Sequence, residues 1–406
     1  MRTWRQLAAL AATGSVVLGT WYGCAIYSPG LLEDVDDGGP SDATPANGDA
    51  EPDGGPPVDP CTVNGTLPRP SVNDAPGSVD QELIFAMRPL NVDWDGNRLD
   101  ASTQLPSTNF GFNLDLTCTC PGPESCKSIV AGRQHCDDGA NGNDNAAYTL
   151  LSSFSGSTVS LADALTRPFG EGQFNMLIRL TRYNGSDEDQ QVVVHVVLSP
   201  GTTETADGGR TVPKFDGNDE WLIDPTSIAG TGANFTFALG DQSAYVTRGT
   251  LFASLDFKIL RIPFELNVGN GDTARAYVDL TGTILSAKLT KLPNKTFRIE
   301  NGILGGRWST RALLQSIGEI RGLDSKNKDK RLCQIPLLYA GLKSEICGAA
   351  DISATSTTAP SEPCSALSFA YPFTASPAKF GKVAPPVTSD AGCTQPDGAP
   401  FSDECF

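Results

Sequence analysis

Histidine is almost absent from this chain: His135 and His195 are the only two in 406 residues. His195 sits inside the apolar run Val192-Val193-Val194-His195-Val196-Val197-Leu198, where it reads as a core or sheet-face residue. His135 adjoins Cys136 with no second ligand at helix or strand spacing. That scarcity removes the commonest general base and metal ligand. Also missing are the G-x-S-x-G elbow, the G-x-x-x-x-G-K-[ST] phosphate loop and the H-E-x-x-H helix. Positive charge is in short supply too. Thirty Lys and Arg stand against 47 Asp and Glu, giving a net charge of −17, and no basic stripe exists to meet phosphates. Nucleic acid is therefore excluded as a partner. The apolar run Leu7–Gly19 falls short of the roughly 20 residues that a membrane-spanning helix needs.

What that run does resemble is a secretory signal. Arg2 and Arg5 precede it, and Trp21-Tyr22-Gly23-Cys24 closes it. Two endings compete. Gly23-Cys24 has the small-residue–cysteine junction of a lipoprotein signal, which would put a lipid on Cys24 and a membrane anchor at the new N-terminus. Alternatively, Gly23-Cys24-Ala25 is a small-x-small site cut after Ala25. Residues 25–60 then form a tether. Between Ser28 and Pro60 there are nine Asp or Glu, no Lys or Arg, and abundant Pro and Gly. Such a segment buries too little apolar surface to offset its ordering entropy, and its carboxylates and prolines keep it extended. A spacer behind an anchor would hold a folded body away from the lipid.

From Cys61 the texture changes to that of a folded domain. Alternation predicts strands at Glu82–Leu90, Phe110–Leu116, Gln173–Arg182 and Gln190–Ser199, with Asn184-Gly185 turning between the last two. Shorter strands are expected at 234–239, 250–255, 257–266, 274–280, 284–291 and 296–300. Helical spacing marks Ala146–Leu151, capped by Asp144 or Asn145, then Ser309–Ile320 and Pro336–Cys347. The expected fold is mainly β, an antiparallel sandwich or barrel-like domain with a few appended helices, over 61–352. Residues 353–406 read as a loop-rich tail pinned by cysteines.

Eleven cysteines become ten once Cys24 is lipidated or lost, an even number suited to disulfides in an oxidising compartment. The spacing of Cys118, Cys120, Cys126 and Cys136 lacks the pairs and histidines of zinc sites, so bridges are favoured over metal. With Cys61 these make five in the front half; Cys333, Cys347, Cys364, Cys393 and Cys405 make five in the back half. Two odd numbers require at least one bridge between the halves if all ten pair. A working guess gives Cys61 a C-terminal partner, two local bridges to the 118–136 loop, and a Cys333–Cys347 pair.

No catalytic residue stands out, and no cofactor is implied beyond calcium. Oxygen donors at Asp93, Asp95, Asn97 and Asp100 surround Gly96 as in a short calcium loop, although Gln104 occupies the twelfth position where such loops carry Glu. Residues Asp137–Asn145 make a second oxygen-rich turn; both also suit ordinary acidic turns. The tether after Cys24, the run FGFNLDLTCTC leading to CDDGANGNDNAA, and NGILGGRW before a helix together resemble a group of exported lipoproteins of myxobacteria and their relatives. The resemblance implies an envelope address, at the outer membrane or cell surface, and carries no activity across. The leading expectation is thus a non-enzymatic lipoprotein whose disulfide-braced β-domain binds an extracellular glycan or envelope protein. The alternatives are a polysaccharide hydrolase using paired carboxylates, and a calcium-stabilised adhesion module.

Overall fold

The computed structural model describes residues 67–68, 80–89, 110–117, 125–130, 142–153, 161–205, 209–230, 235–255, 259–269, 272–321, 329–355, 359–386, 393 and 401–405. The signal with Cys24, the acidic stretch to residue 60, and Cys61, Cys118, Cys120 and Cys136 lie outside them. So do Asp93, Asp95, Asn97 and Asp100. The described residues all fall in one compact unit, Pro56–Phe406.

Along the chain run β1 (Gln81–Pro89), β2 (Cys126–Lys127), helices α1 (Ala146–Ser153) and α2 (Leu161–Gly170), then β3 (Asn175–Tyr183) and β4 (Asp189–Ser199). Next come β5 (Glu220–Ile223), β6 (Ile228–Ala229), β7 (Thr236–Phe237), β8 (Gly240–Thr247), β9 (Thr250–Leu255), β10 (Leu260–Gly269), β11 (Asp272–Lys291) and β12 (Phe297–Ser309). Helices α3 (Thr310–Gly318) and α4 (Pro336–Ala349) follow, and β13 (Ala359–Pro363), β14 (Ala366–Pro377) and β15 (Lys379–Val383) come last.

Eight strands close into a barrel in the order β11-β12-β14-β1-β3-β4-β8-β9, with β9 returning to β11. Every pairing around it is antiparallel, and the order follows the chain as an up-and-down meander interrupted by insertions. β10 extends the wall by pairing with the first half of β11, while β9 pairs with its second half. Full closure removes the exposed sheet edges that would otherwise invite aggregation.

Period-2 alternation explains why these segments close this way. Phe85 and Met87, Met176, Ile178 and Leu180, Val192, Val194 and Val196, and Leu285, Ala287 and Leu289 share one buried cluster. Their neighbours Arg179, Thr181, Gln191, Ser286 and Lys288 are exposed or half-buried. Interior side chains such as Phe85, Met176, Ile178, Val194 and Leu285 are at most 1% exposed, which leaves no water-sized void beside them. The lumen is filled. Apolar inside and polar outside is also the reverse of the pattern that a lipid-spanning barrel requires. Among the described residues, no helix is long and apolar enough to cross a membrane.

Part of the outer wall is covered. A parallel ribbon of β5 and β15 lies over β1, β3 and β4, burying Trp221 and Ile223 against Ala86, Leu177 and Val197. On another side, Phe112 and Leu114 pack with Ile284, Ile352 and Ala366. Helix α3 starts where β12 ends: Ser309 accepts a hydrogen bond from the Ala312 N–H as its N-cap, and Leu313, Leu314 and Ile317 are buried. Its Ser316 Oγ accepts from the Tyr277 N–H at 2.6 Å, which ties the helix to β11.

Several expectations need correction. Phe110–Leu116 is not a strand: it makes a single isolated bridge, Phe112 to Asp144, and Leu116 adopts a left-handed φ of 60°. Its alternation was misleading because Asn113 and Asp115, between the apolar residues, are buried as well. Asp144 and Asn145, expected at the helix start, also reach across the fold. Asp144 Oδ2 accepts from the Leu114 N–H at 2.6 Å, and Asn145 Oδ1 accepts from the Ala370 N–H at 3.1 Å. The first N–H of α1, from Ala146, donates to Ser368 Oγ at 2.7 Å. Residues 353–406 are no mere tail, because β14 sits between β12 and β1 in the barrel wall. Helix α2, with Pro168 inside it, was not foreseen.

The disulfides also differ from the guess. Cys126 bonds Cys364, Cys333 bonds Cys393 and Cys347 bonds Cys405. There is no Cys333–Cys347 pair, and Cys126 is not in a local bridge of the 118–136 loop. A bridge between the two halves does exist, as parity required. Three disulfides are compatible with an oxidising extracellular environment. Two of them fasten Cys393 and Cys405 to the helical end of the chain. Between them Phe401 stacks edge-on against Tyr339 at 5.4 Å. Asp403 accepts from Tyr339 Oη at 3.0 Å and pairs with Lys343 Nζ at 2.6 Å. Burial opposes the Asp403 charge, but the hydrogen bonds from Lys343, Tyr339 and the Glu404 amide outweigh it and hold the carboxyl below its ordinary range.

Two outcomes follow for stability. A Cβ at Gly302 would lie 2.5 Å from Phe373 Cζ, and Phe373 is fully buried, so the ring has nowhere to retreat. Gly302→Ala is expected to cost about 1–3 kcal/mol in urea unfolding, and Phe373→Leu in the same chain to recover part of that loss. Because the folded-state pKa of Asp403 is depressed, its contribution is complete above the unfolded value of about 4 and is lost as pH falls through the folded one. The protection factor of the Glu404 amide, taken against its intrinsic exchange rate at each pH, should therefore fall in acid, and Lys343→Met should flatten that dependence.

Candidate functional site

A filled lumen leaves the outer surface as the place for recognition. Among the described residues there is an open groove of about 400 Å³ lined by residues between Thr202 and Glu220, including Thr203, Thr211, Lys214 and Asp216. Two close backbone approaches place its Thr202 and Thr211 side. Gly172 has a φ of +71°, and a Cβ there would meet Thr211 O at 2.7 Å; at Gly201, with φ +116°, it would meet Gly172 O at 2.3 Å. Only glycine tolerates both demands. Thr202 Oγ1 then donates to Thr211 O at 2.5 Å, and Arg210 Nη1 donates to Thr202 O at 2.9 Å, closing the 202–211 turn on itself.

The other rim is the turn Lys214–Glu220, where Asp216, Gly217, Asn218 and Asp219 supply turn chemistry. Asp219 accepts from the backbone N–H of Lys214 at 2.9 Å and of Phe215 at 2.5 Å. Asp216 accepts from the Asn218 N–H at 2.9 Å, and Lys379 Nζ donates to Asn218 Oδ1 at 3.2 Å. Two of the three groove carboxylates are thus occupied in shaping the loop. The Thr202 and Thr211 hydroxyls already donate to backbone carbonyls, so the exposed side chains of Thr203, Lys214 and Glu220 remain to face a ligand.

Phe215 links this groove to an aromatic and cationic strip on the barrel wall. The Arg88 guanidinium lies 4.9 Å from the Phe215 ring centre, and the Phe215 and Trp221 rings are 6.1 Å apart. Phe237 on β7 is the hub of the strip. It meets Phe235 at 5.6 Å, Phe380 at 5.3 Å and His195 at 5.4 Å, with Arg179 stacked 5.3 Å from its centre. Arg179 is oriented by Glu82, Nε to Oε1 at 2.7 Å. Phe215, Phe235, Phe237 and Phe380 are all half-buried, so each keeps part of a ring open to solvent. Stacked cations of this kind contribute about 0.5–2 kcal/mol each and rigidify the rings.

Of the residues singled out from sequence, Cys126, Cys333, Cys347, Cys364, Cys393 and Cys405 are paired as described. The remaining disulfide candidates, the lipidation candidate Cys24 and the calcium candidates Asp93, Asp95, Asn97 and Asp100 lie outside the described residues. His195 is on a sheet face, its ring tilted against that of Phe237. The groove and the aromatic strip were missed, because their residues come from several widely separated stretches of the chain. The available signal was Phe235-x-Phe237 inside an expected strand, two aromatics sharing one face.

What fold and site define is a disulfide-braced meander barrel with a packed lumen and an external polar groove running into an aromatic strip. No protein-family model, curated protein or solved structure matches this chain.

Replacing Asp219 by Ala removes two acceptor interactions from the groove rim. The Lys214 and Phe215 amides should then exchange faster, by an amount equivalent to about 1–3 kcal/mol of local opening, with global unfolding little changed.

Proposed function

We propose that this chain is a non-catalytic, lipid-anchored protein of the cell envelope whose barrel binds an extracellular glycan. The observation that carries the reading is the polar groove, with Thr203, Lys214, Asn218 and Glu220 exposed along it, beside the half-buried aromatic residues Phe215, Phe235, Phe237 and Phe380. Recognition surfaces for polyols need directional polar groups and flat apolar faces together. Residues 25–60 would act as the spacer between a lipid on Cys24 and the barrel. The resemblance to exported myxobacterial lipoproteins, the outer-membrane or surface address it implies, and the disulfides agree with this placement.

A hydrolase reading has less support. Inversion or retention needs two carboxylates facing one another across the substrate, free to trade protons. In the groove, Asp216 and Asp219 already accept backbone N–H groups, which leaves Glu220 without a partner carboxylate of that kind.

The full-length protein recovered from membranes should retain on insoluble peptidoglycan or neutral polysaccharide without releasing reducing ends. Phe237→Ala and Lys214→Ala should each lower retention by roughly tenfold, the loss of one good contact. Reducing-end release, or retention untouched by both variants, would overturn the binding proposal. Intact mass of the same material tests the anchor separately: a diacyl or triacyl adduct on Cys24 is expected, and an unmodified N-terminus at Ile26 would refute it.

A further inference from the structure

Three tight turns meet at one end of the barrel: 184–188 between β3 and β4, 248–249 between β8 and β9, and 292–296 between β11 and β12. Hydrogen bonds knit the first two to β11. Gly249 N–H donates to Asp187 O and Leu289 N–H to Gly249 O, both at 2.8 Å, and Lys288 Nζ donates to Arg248 O at 2.5 Å. Around these turns stand six exposed cations, Arg182, Arg248, Lys288, Lys291, Lys295 and Arg298. The last four fall in a stretch with no Asp or Glu between Asp279 and Glu300. That run is too short to follow a nucleic-acid backbone, but folding adds Arg182 and Arg248 to it and makes a compact basic face.

The backbone places these cations against its own preference. Arg182, Arg248 and Lys295 have left-handed φ of 60°, 50° and 67°, three of the six such non-glycine residues among those described. Turn positions of this kind ordinarily take Gly, Asn or Asp, because a long side chain is disfavoured in that conformation. Strain kept at exposed turns points to a use for the charge. Most nearby carboxylates are engaged elsewhere. Asp189 accepts from Asn184 N–H at 2.7 Å, Glu188 accepts from Arg248 N–H at 2.9 Å, Glu82 pairs with Arg179 and Glu300 pairs with Arg298, while Asp80 and Asp187 stay exposed. Among the described residues, none of the five cations besides Arg298 has a carboxylate partner.

The chain also enters the barrel here. Gln81 opens β1 opposite Tyr183, and Tyr245 Oη on β8 donates to Pro68 O. The segment leading back to Cys24 therefore joins the barrel beside the basic face. A chain of net charge −17 is repelled as a whole by an anionic bilayer, so any contact favours the end where cations gather.

We propose that this end of the barrel docks on a membrane rich in anionic phospholipid headgroups, with Arg182, Arg248, Lys288, Lys291 and Lys295 meeting their phosphates. The proposal rests on the envelope reading above only for the lipid on Cys24 that keeps a bilayer within reach.

The test uses the full-length, disulfide-intact protein, its lipid state read by intact mass, so that a missing adduct counts against the anchor and not against the docking. Lysines are traced by acylation and mass spectrometry on excess vesicles of phosphatidylcholine, with and without phosphatidylglycerol. With phosphatidylglycerol at low ionic strength, Lys288 and Lys291 should react roughly tenfold more slowly than on phosphatidylcholine alone. High salt should restore their reactivity, and Lys214 and Lys379 should react alike on both vesicles. Arg248→Asn and Lys295→Asn together should remove most of that protection and yet raise the urea midpoint, since Asn accepts a left-handed φ more readily than Arg or Lys. Equal reactivity of Lys288 and Lys291 on the two vesicles, or protection untouched by the double variant, overturns the proposal. So does the same protection from inorganic phosphate without vesicles.

Discussion

The pairing of β14 with β1 is the constraint on which the rest of the structure depends. These strands are the last and first of the barrel, and their register from Phe85–Pro377 to Pro89–Phe373 is what turns a curved sheet into a cylinder. Without it, two sheet edges would stand open and the filled lumen would be exposed to water along one side. Much of the remaining structure secures that seam. Ser368 and Ala370 of β14 bond Ala146 and Asn145 at the start of α1, and Asp351 accepts from both the Ser368 amide and its hydroxyl. On the β1 side, Asn175 accepts from the Met87 N–H and donates to Met87 O, so β3 grips β1 by a side chain as well as by its ladder.

How much of this was legible in the sequence depends on how each segment is buried. β3 shows itself by the alternation of Met176, Ile178 and Leu180, and β4 by its β-branched run, although the β5–β15 ribbon covers part of their outer faces. β14 does not: Ala366-Leu367-Ser368-Phe369-Ala370-Tyr371-Pro372-Phe373 is buried on both faces, carries a proline, and lies among Ser and Pro that suggest a loop. The reverse error occurred at Phe110–Leu116, where clean alternation marked a loop, not a strand. There the polar positions are buried beside Asp144 and Arg307 instead of facing solvent. Parity of the cysteines correctly demanded a link between the halves, but partner identity is a property of the folded geometry. The groove was illegible for a similar reason, since residues 172, 202–220 and 379 meet only once the strands are in register.

Polarity of the wall directs attention outward. A barrel of eight strands is just wide enough either to be filled by its own side chains or to hold one small ligand. This one takes the first course, with Phe, Met, Leu, Ile and Val meeting at its axis. Binding of the kind proposed would therefore fall to the insertions between strands, and those from β4 to β8 and from β12 to β14 carry the groove with its aromatic strip and the cross-linked helices. Scaffold and recognition surface are separable, which is the usual arrangement when loops bear function on a rigid frame.

Cys333 and Cys347 are bonded to Cys393 and Cys405 in interleaved order, and Cys126 waits 238 residues for Cys364. A chain that emerges N-terminus first meets every one of these sulfurs with the wrong neighbour closest at hand. Joining cysteines in order of appearance would trap a knot of local loops before the seam strand existed. Correct pairing therefore waits on the fold bringing these sulfurs together once the C-terminal residues have been made, and any bond formed earlier between sequence neighbours has to be undone by thiol exchange.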